Sequence, residues 1–456
     1  MAQNRRDADR METSKISVLL LEFSIPAMIG MLVNAIYNVV DRIFIGNTPE
    51  LGATGLAAAS ITYPVTLVLL AFSLMVGVGA ATLYSISLGQ KDYKKAEVYL
   101  GHTISLSAIA GIIFMVVGII FIRPLLRTLG ASEAVLPMAE DYLSIILYGG
   151  IFQIIAIALN NLTRADGSPN TTMVSMIIGA GFNILFDYIL IVQLGWGMKG
   201  AAYATVGGQF LSMLYQLFYF MNGRSTVPFT LASLKPQLAD TLEILKIGIP
   251  AFLLQLANSF LTMMMNAQLV NYGGDIAVSV AGIVTSASTI IIMLISGLTQ
   301  GMQPLISFNT GAQRPDRVKE TMRWGAWVGT IIAVVGFLII QIFPQFVIRL
   351  FNQESAVLAM GIPAIRIWTL AFPVDGVQMV WSSYFQSVGE VRLASFLNLL
   401  RQVIFLIPVL LIFGPMFGLY GIFWAIPVAE ILAAIVTAYF IWKDFYNKPA
   451  MWSEIN

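Results

Sequence analysis

In the segment FNILFDYILI, Phe182 to Ile191, one Asn and one Asp interrupt a run that is otherwise aliphatic or aromatic. Asn183 and Asp187 are four residues apart, which puts them on one helix face about 5–6 Å from each other. A second polar stripe, Asn34, Tyr37, Asn38 and Asp41, follows one side of another apolar stretch. Hydrogen bonds between membrane helices contribute only about 0.5–2 kcal/mol per pair, and Asn or Ser supplies them. A carboxylate near the bilayer centre costs about 2.5 kcal/mol or more. Two such carboxylates point to a role in transport rather than to adhesion between helices. Counting along the helices puts Asp41 about one turn, and Asp187 about two turns, below the outer surface. Tyr142 and Thr205 fall at similar depth, so the four line one chamber in the outer part of the first half.

The elements that must hold these groups are membrane helices. Of the 456 residues 58% are hydrophobic and 11% charged, and the mean hydropathy is +0.81, far more apolar surface than one soluble core hides. Apolar stretches long enough to cross about 30 Å of hydrocarbon centre on residues 18–45, 53–86, 99–122, 137–160, 171–194, 198–221, 242–270, 276–308, 322–343, 357–386, 393–414 and 418–442, twelve in all. The first is too long for a cleaved signal peptide and is expected to remain as a helix. Most of the 25 Lys and Arg fall in segments that share a side with the N-terminus, which puts both termini in the cytoplasm.

The chain repeats itself. Ile25-Pro26-Ala27 matches Ile249-Pro250-Ala251; Gly79 and Gly89 match Gly301 and Gly311; Gly167 matches Gly389; and GMKGAAYA from Gly197 matches GLYGIFWA from Gly418. Offsets stay between 221 and 224 residues. Such a repeat is organisational. Two six-helix halves of even helix number enter the membrane in the same direction, the parallel-repeat arrangement of transporters that handle substrate between their halves. The expected fold is all-α and integral to the membrane, with twelve transmembrane helices in two six-helix lobes around a central cleft. Its parts are a cytoplasmic tail over 1–17, a lobe over 18–221, a cytoplasmic linker over 222–241, a second lobe over 242–442 and a tail over 443–456.

No phosphate-binding loop occurs, there is no Cys, and the one histidine, His102, has no ligand cluster in sequence, so it reads as a membrane-interface residue. No nucleophile with a base partner is evident, and an enzyme is not expected. The second half carries Asp375, Arg401 and Glu430 within its apolar stretches. Arg401 either neutralises Asp375 or Glu430 or gates a substrate. The run Met263 to Met265 offers a soft wall for varied ligands, or simply faces lipid or core.

The run IPAMIGMLVNAIYNVVDRIFIGN, with RADGSPNTTM, NILFDYILI, GMKGAAYAT and GMQPLISFNTGAQ, resembles the multidrug and toxic compound extrusion (MATE) family, in particular its MepA-like branch. The resemblance runs from about Leu20 to Trp442. It implies cation-coupled export of drugs and metabolites by alternating access. It also implies a cation site at Asp41, Asn183, Asp187 and Thr205, with Tyr142 beside it. Asp375 is similar to a carboxylate that NorM-like members use in the second lobe, whereas Gln255 stands where those members have a glutamate.

The function expected is an H+ or Na+ coupled antiporter of the bacterial cytoplasmic membrane that exports lipophilic organic cations and confers antibiotic resistance. It is expected to work as a monomer in lipid, with no cofactor besides the coupling ion and no nucleic-acid partner. Asn34, Tyr37, Asn38, Gln255, Asp375 and Met265 are the candidate substrate-cleft residues, and the intramembrane charge balance leans acidic. The rival readings are a flippase for a lipid-linked saccharide on a related two-lobe fold and a passive channel.

Overall fold

A computed structural model describes residues 10–48, 51–351 and 354–447. Among them the backbone is helical almost throughout, as a chain in hydrocarbon must be to satisfy its own N–H and C=O groups. The first half contains α1 (Ile16–Asn47), α2 (Gly52–Gly89), α3 (Tyr93–Ile120), α4 (Leu136–Ala165), α5 (Pro169–Asp187) and α6 (Gly197–Met221). The second contains α7 (Leu238–Gly274), α8 (Ile276–Gly311), α9 (Pro315–Ile342), α10 (Ser355–Ser387), α11 (391–417) and α12 (419–447).

Two boundaries hide inside continuous helical hydrogen bonding. Gly274 (φ 63°) separates α7 from α8, and Gly418 (φ 62°) separates α11 from α12. Both hold a left-handed conformation that a Cβ would strain. α6 is less apolar than its neighbours because it carries Thr205, Gln209, Ser212 and Gln216 on faces turned toward other helices.

The backbone repeats along with the sequence. Positive φ recurs at Gly52 and Gly274, Lys91 and Gln313, Gly167 and Gly389, and Gly197 and Gly418, each pair 221 or 222 residues apart. Side-chain bonds recur too: Ser85 Oγ donates to Ala165 O, and its counterpart Ser307 donates to Ser387 O. Each half therefore folds on one plan.

For orientation, the end of the bundle that holds Ile16 and Gly311 is here called proximal and the opposite end distal. The halves meet closely near the proximal end. Gly89 packs on the carbonyl of Phe308 while its repeat mate Gly311 packs on that of Ile86. Gly79 rests on Ile244 and Gly301 on Ser24, again in matching roles. A Cβ at any of these positions would collide with backbone, so only glycine permits this approach. Tyr99 OH donates to Glu243 (2.7 Å) and Gln303 to Thr82 (3.1 Å) across the same seam.

The connection between the halves is a strap held against the first one. Asp166 accepts hydrogen bonds from Tyr84 OH, Tyr219 OH and the Thr226 N–H, and His102 Nε2 accepts one from the Gln237 N–H at 2.8 Å. His102 is thus buried beneath the strap, 1% exposed, and is not the interface residue its position near a helix start suggested.

Candidate functional site

Between the halves lies a cavity of about 720 Å³. Its floor residues Arg164, Asn161, Gln378 and Ser387 are buried, whereas Asn38, Arg42 and Tyr63, on distal segments of α1 and α2, are exposed. The cavity therefore opens distally and is closed proximally by the glycine contacts. Of the sequence candidates, Asn34, Tyr37, Asn38, Asp41, Tyr142, Asn183, Thr205 and Gln255 line it.

Asp187 sits just behind this wall, 0% exposed. It ends the α-helical part of α5, and a π-helical turn, Tyr188–Gln193, follows. Such turns interrupt the regular i→i−4 ladder and recur where side chains must be re-aimed. The Asp187 carboxyl abuts that of Asp41 from α1, and Tyr37 and Tyr142 lie close to both. With the Asn183 amide turned to suit its neighbours, its nitrogen donates to Asp187 Oδ2 at 3.3 Å and its oxygen accepts from Thr205 Oγ1 and N–H at 3.3 Å. Asp41 Oδ1 and Asp187 Oδ1 are both buried without a hydrogen-bond partner.

Two adjoining carboxyls cannot both be bare anions in such a place, because like charges and low polarity each oppose it. A proton between them relieves the conflict. A small hard cation does so as well with the Asn183 amide turned the other way, its nitrogen donating to Thr205 Oγ1 at 3.3 Å and its oxygen facing Asp187, which gathers oxygens of Asp41, Asp187 and Asn183 into a donor set suited to such an ion.

Other expectations need correction. Met265 does not face the cleft: it is 8% exposed in the packed interior of the second half with Leu269 and Val284, because its side of α7 turns toward α8 and away from the seam. Met31, Met176, Met293 and Met379 are the methionines at the cavity. Asp375 does not line it either. It stands against Glu430, which pairs with Arg401 at 3.2 Å, so the Arg401 partner is Glu430. Arg401 lies in a π-helical turn, Leu400–Leu406, of α11, so both halves interrupt their fifth helix near an intramembrane charge. Gln255 belongs to a neutral amide chain in which Gln402 donates to Asn258 and Asn258 donates to Gln255.

The acidic balance inferred for the cleft also changes. Among the described residues the cavity lining contains one carboxylate, Asp41, and three guanidiniums, Arg42, Arg164 and Arg401. Arg42 lies over the Tyr63 ring, 5.9 Å from its centroid, at the open end. Arg164 and the amides Gln300 and Gln303 escaped the sequence reading. Arg164 sits in the RADGSP motif at the end of α4, where sequence alone places it among the positive charges on the side of the N-terminus.

The sequence model of the MatE family matches residues 26–189 and 250–412, one match in each half. The multidrug export protein MepA of Staphylococcus aureus (strain MRSA252) is 30% identical over 424 residues, 93% of each chain. MepA of Staphylococcus haemolyticus is 29% identical over 432 residues, covering 95% of this chain and 94% of its own. Among solved structures, an outward-facing conformation of a multidrug resistance MATE family transporter of the MOP superfamily superposes with a TM-score of 0.90 at 26% identity, over 96% of this chain and 97% of that one.

Proposed function

Because this chain belongs to the MATE family, as a MepA-like multidrug export transporter of the membrane, we propose that it is a cation-coupled antiporter expelling lipophilic organic cations by alternating access. The observation that carries this reading is the Asp41–Asp187 pair, two abutting carboxyls with one orphan oxygen each, at the edge of a cavity between two repeat-related lobes. The proximal end is assigned to the cytoplasm, consistent with the positive charge on that side.

In this mechanism Asp41 is exposed to the cleft while Asp187 is screened behind it, so an ion reaching Asp187 passes Asp41 first. Loading the pair from outside removes the charge conflict between them and favours separation of the proximal contacts; unloading inward restores it. A proton descending a 100 mV potential supplies about 2.3 kcal/mol. Sodium serves as well where the Asn183 oxygen is turned to join the two carboxylates around it. Tyr37, Tyr63 and Tyr142 give aromatic faces for a cationic ligand, and the four cavity methionines adapt to its shape. One chain supplies both walls of the cleft, so a monomer is sufficient.

The test is counterflow in proteoliposomes with proton and sodium gradients imposed separately, using a fluorescent organic cation. Concentrative movement driven by one of the two gradients supports antiport. Downhill movement indifferent to both gradients overturns it in favour of a channel.

A further inference from the structure

The floor of the cleft holds a charge that the coupling mechanism does not use. Arg164 is 4% exposed and faces the cavity from the proximal end of α4. A guanidinium carries five N–H donors and a full positive charge. Its acceptors here are two neutral amide oxygens: Nη1 donates to Gln300 Oε1 at 2.6 Å and Nη2 to Asn161 Oδ1 at 2.8 Å. Among the described residues no carboxylate forms an ion pair with it, and the nearest acid in sequence, Asp166, is committed to Tyr84, Tyr219 and Thr226. Buried charges are ordinarily paired, since an unpaired one gives up its hydration without compensation.

The other interior arginines show the difference. Arg401 has Glu430. Arg317 donates to Asn309 and to the carbonyls of Met11 and Ser14, away from the cavity, where it holds the segment before α1. Among the described residues Arg164 alone combines a charge without an anion, burial, and a place on the cavity wall.

We propose that Arg164 is a carboxylate-binding group at the cleft floor, which makes compounds bearing both a cationic nitrogen and a carboxylate the preferred substrate class. This rests on the efflux reading above and adds the anionic end of the ligand to the cationic end met by Asp41 and the tyrosines. A carboxylate replaces two neutral acceptors with one charged, bidentate partner, and such bonds are about twice as strong as neutral ones.

Gln300 gives the contact its direction. It lies on α8, in the other lobe, so its bond to Arg164 exists only while the proximal contacts are closed. When they part, Arg164 loses that acceptor and faces the cytoplasm with donors free for a solute carboxylate. When they close again, Gln300 competes for the same N–H groups and loosens the solute as the cleft turns outward. High affinity inside and low affinity outside is what export requires.

The experiment uses rhodamine 110, which has a free carboxylate, and rhodamine 123, its methyl ester. Binding of each to purified protein in detergent is measured by fluorescence anisotropy, and efflux of each is measured in proteoliposomes. The wild type is expected to bind the acid more tightly than the ester. Arg164→Gln should lower acid affinity relative to ester affinity about tenfold, and Arg164→Lys should lower it less. Gln300→Ala, which removes the competitor and leaves Arg164 in place, should raise the relative affinity for the acid. An acid-to-ester ratio that is the same in the wild type, Arg164→Gln and Gln300→Ala overturns the carboxylate site, while ester efflux in that case leaves the efflux reading standing. If the wild type neither binds nor moves either dye, both readings fall together.

Discussion

Asp41 on α1 and Asp187 on α5 meet carboxyl to carboxyl, and each keeps a buried Oδ1 with no hydrogen-bond partner. On the mechanism proposed above the two act as one site, so that neither has an independent affinity for the coupling ion. Asp187→Asn and Asp41→Asn should each reduce gradient-driven efflux at least tenfold, rather than halve it, while leaving the amount of membrane-inserted protein unchanged. Drug efflux normalised to reconstituted protein checks this. Wild-type rates with unchanged ion dependence in either variant would sink the shared site.

The proximal seal should depend on glycine. Gly89→Val or Gly311→Val forces a side chain onto a backbone carbonyl of the opposite lobe, and overpacking of this kind typically costs about 1–3 kcal/mol. The cost falls only on the proximally closed state, so the population should shift toward the opposite state by roughly tenfold. The chain has no cysteine, so Gln303→Cys at the cavity floor is a unique label site. Its reaction with an impermeant maleimide from the proximal side should accelerate in both glycine variants. No acceleration would mean the seal lies elsewhere.

The Arg401–Glu430 pair is expected to serve folding. Removing one member of a buried pair strands the other, at about 3–5 kcal/mol in full burial, and less here because the Arg401 side chain is 25% exposed. Arg401→Met should therefore lower thermal stability and expression, and adding Glu430→Gln should recover much of the loss. Melting of the purified proteins, single against double variant, reports the outcome. An Arg401→Met protein of normal stability that loses drug binding would reassign the residue to the substrate.

Asp166 sets a pH dependence outside the membrane spans. Burial pushes its carboxyl up from 3.8 to about 6, against the hydrogen bonds from Tyr219, Tyr84 and Thr226 that favour the anion. A carboxyl with a raised folded value contributes stability that is complete below the unfolded value of 3.8 and lost as pH rises through about 6. Going from about pH 8 to pH 5 should therefore stabilise the wild type by about 1 kcal/mol through this group. Asp166→Asn should lack that increment, read as the change with pH in the melting-temperature difference between the two proteins. A difference independent of pH would show that Asp166 stays ionised in the fold.

The helices and the repeat were legible because hydrocarbon demands long apolar stretches, and because glycines needed for left-handed turns or for lobe contact, such as Gly89, Gly197 and Gly418, cannot drift to other residues. The polar stripe of α1 and the Asn183–Asp187 pair were legible for a related reason: a charge in such a stretch has few innocent explanations. Met265 misled because helical phase within α7 depends on which neighbour the helix turns toward, which composition does not encode. Arg164 was missed because it stands at a helix end, where surface and interior look alike in sequence, and His102 because its apolar stretch reads from residue 99 while the helix begins at Tyr93. Only the strap over His102 and the cavity beside Arg164 separate the two cases. The cleft's charge balance failed for the same reason, as counting intramembrane acids ignores which of them face the cavity.

Gly89 and Gly311 occupy equivalent positions in the two lobes, and each packs on the helix that bears the other. Residues related in this way lie beside an axis of near-twofold symmetry, and a contact that maps onto itself under such an axis is what two identical subunits use to pair. A polypeptide half this length could have closed the same seal by pairing with its own copy, side by side and in the same orientation. Within one chain the two lobes are free to differ: one has acids at Asp41 and Asp187 while the other faces the shared space with Gln255, Gln300 and Gln303. A dimer of identical halves would instead set the same acids and the same arginine on both walls of the cleft.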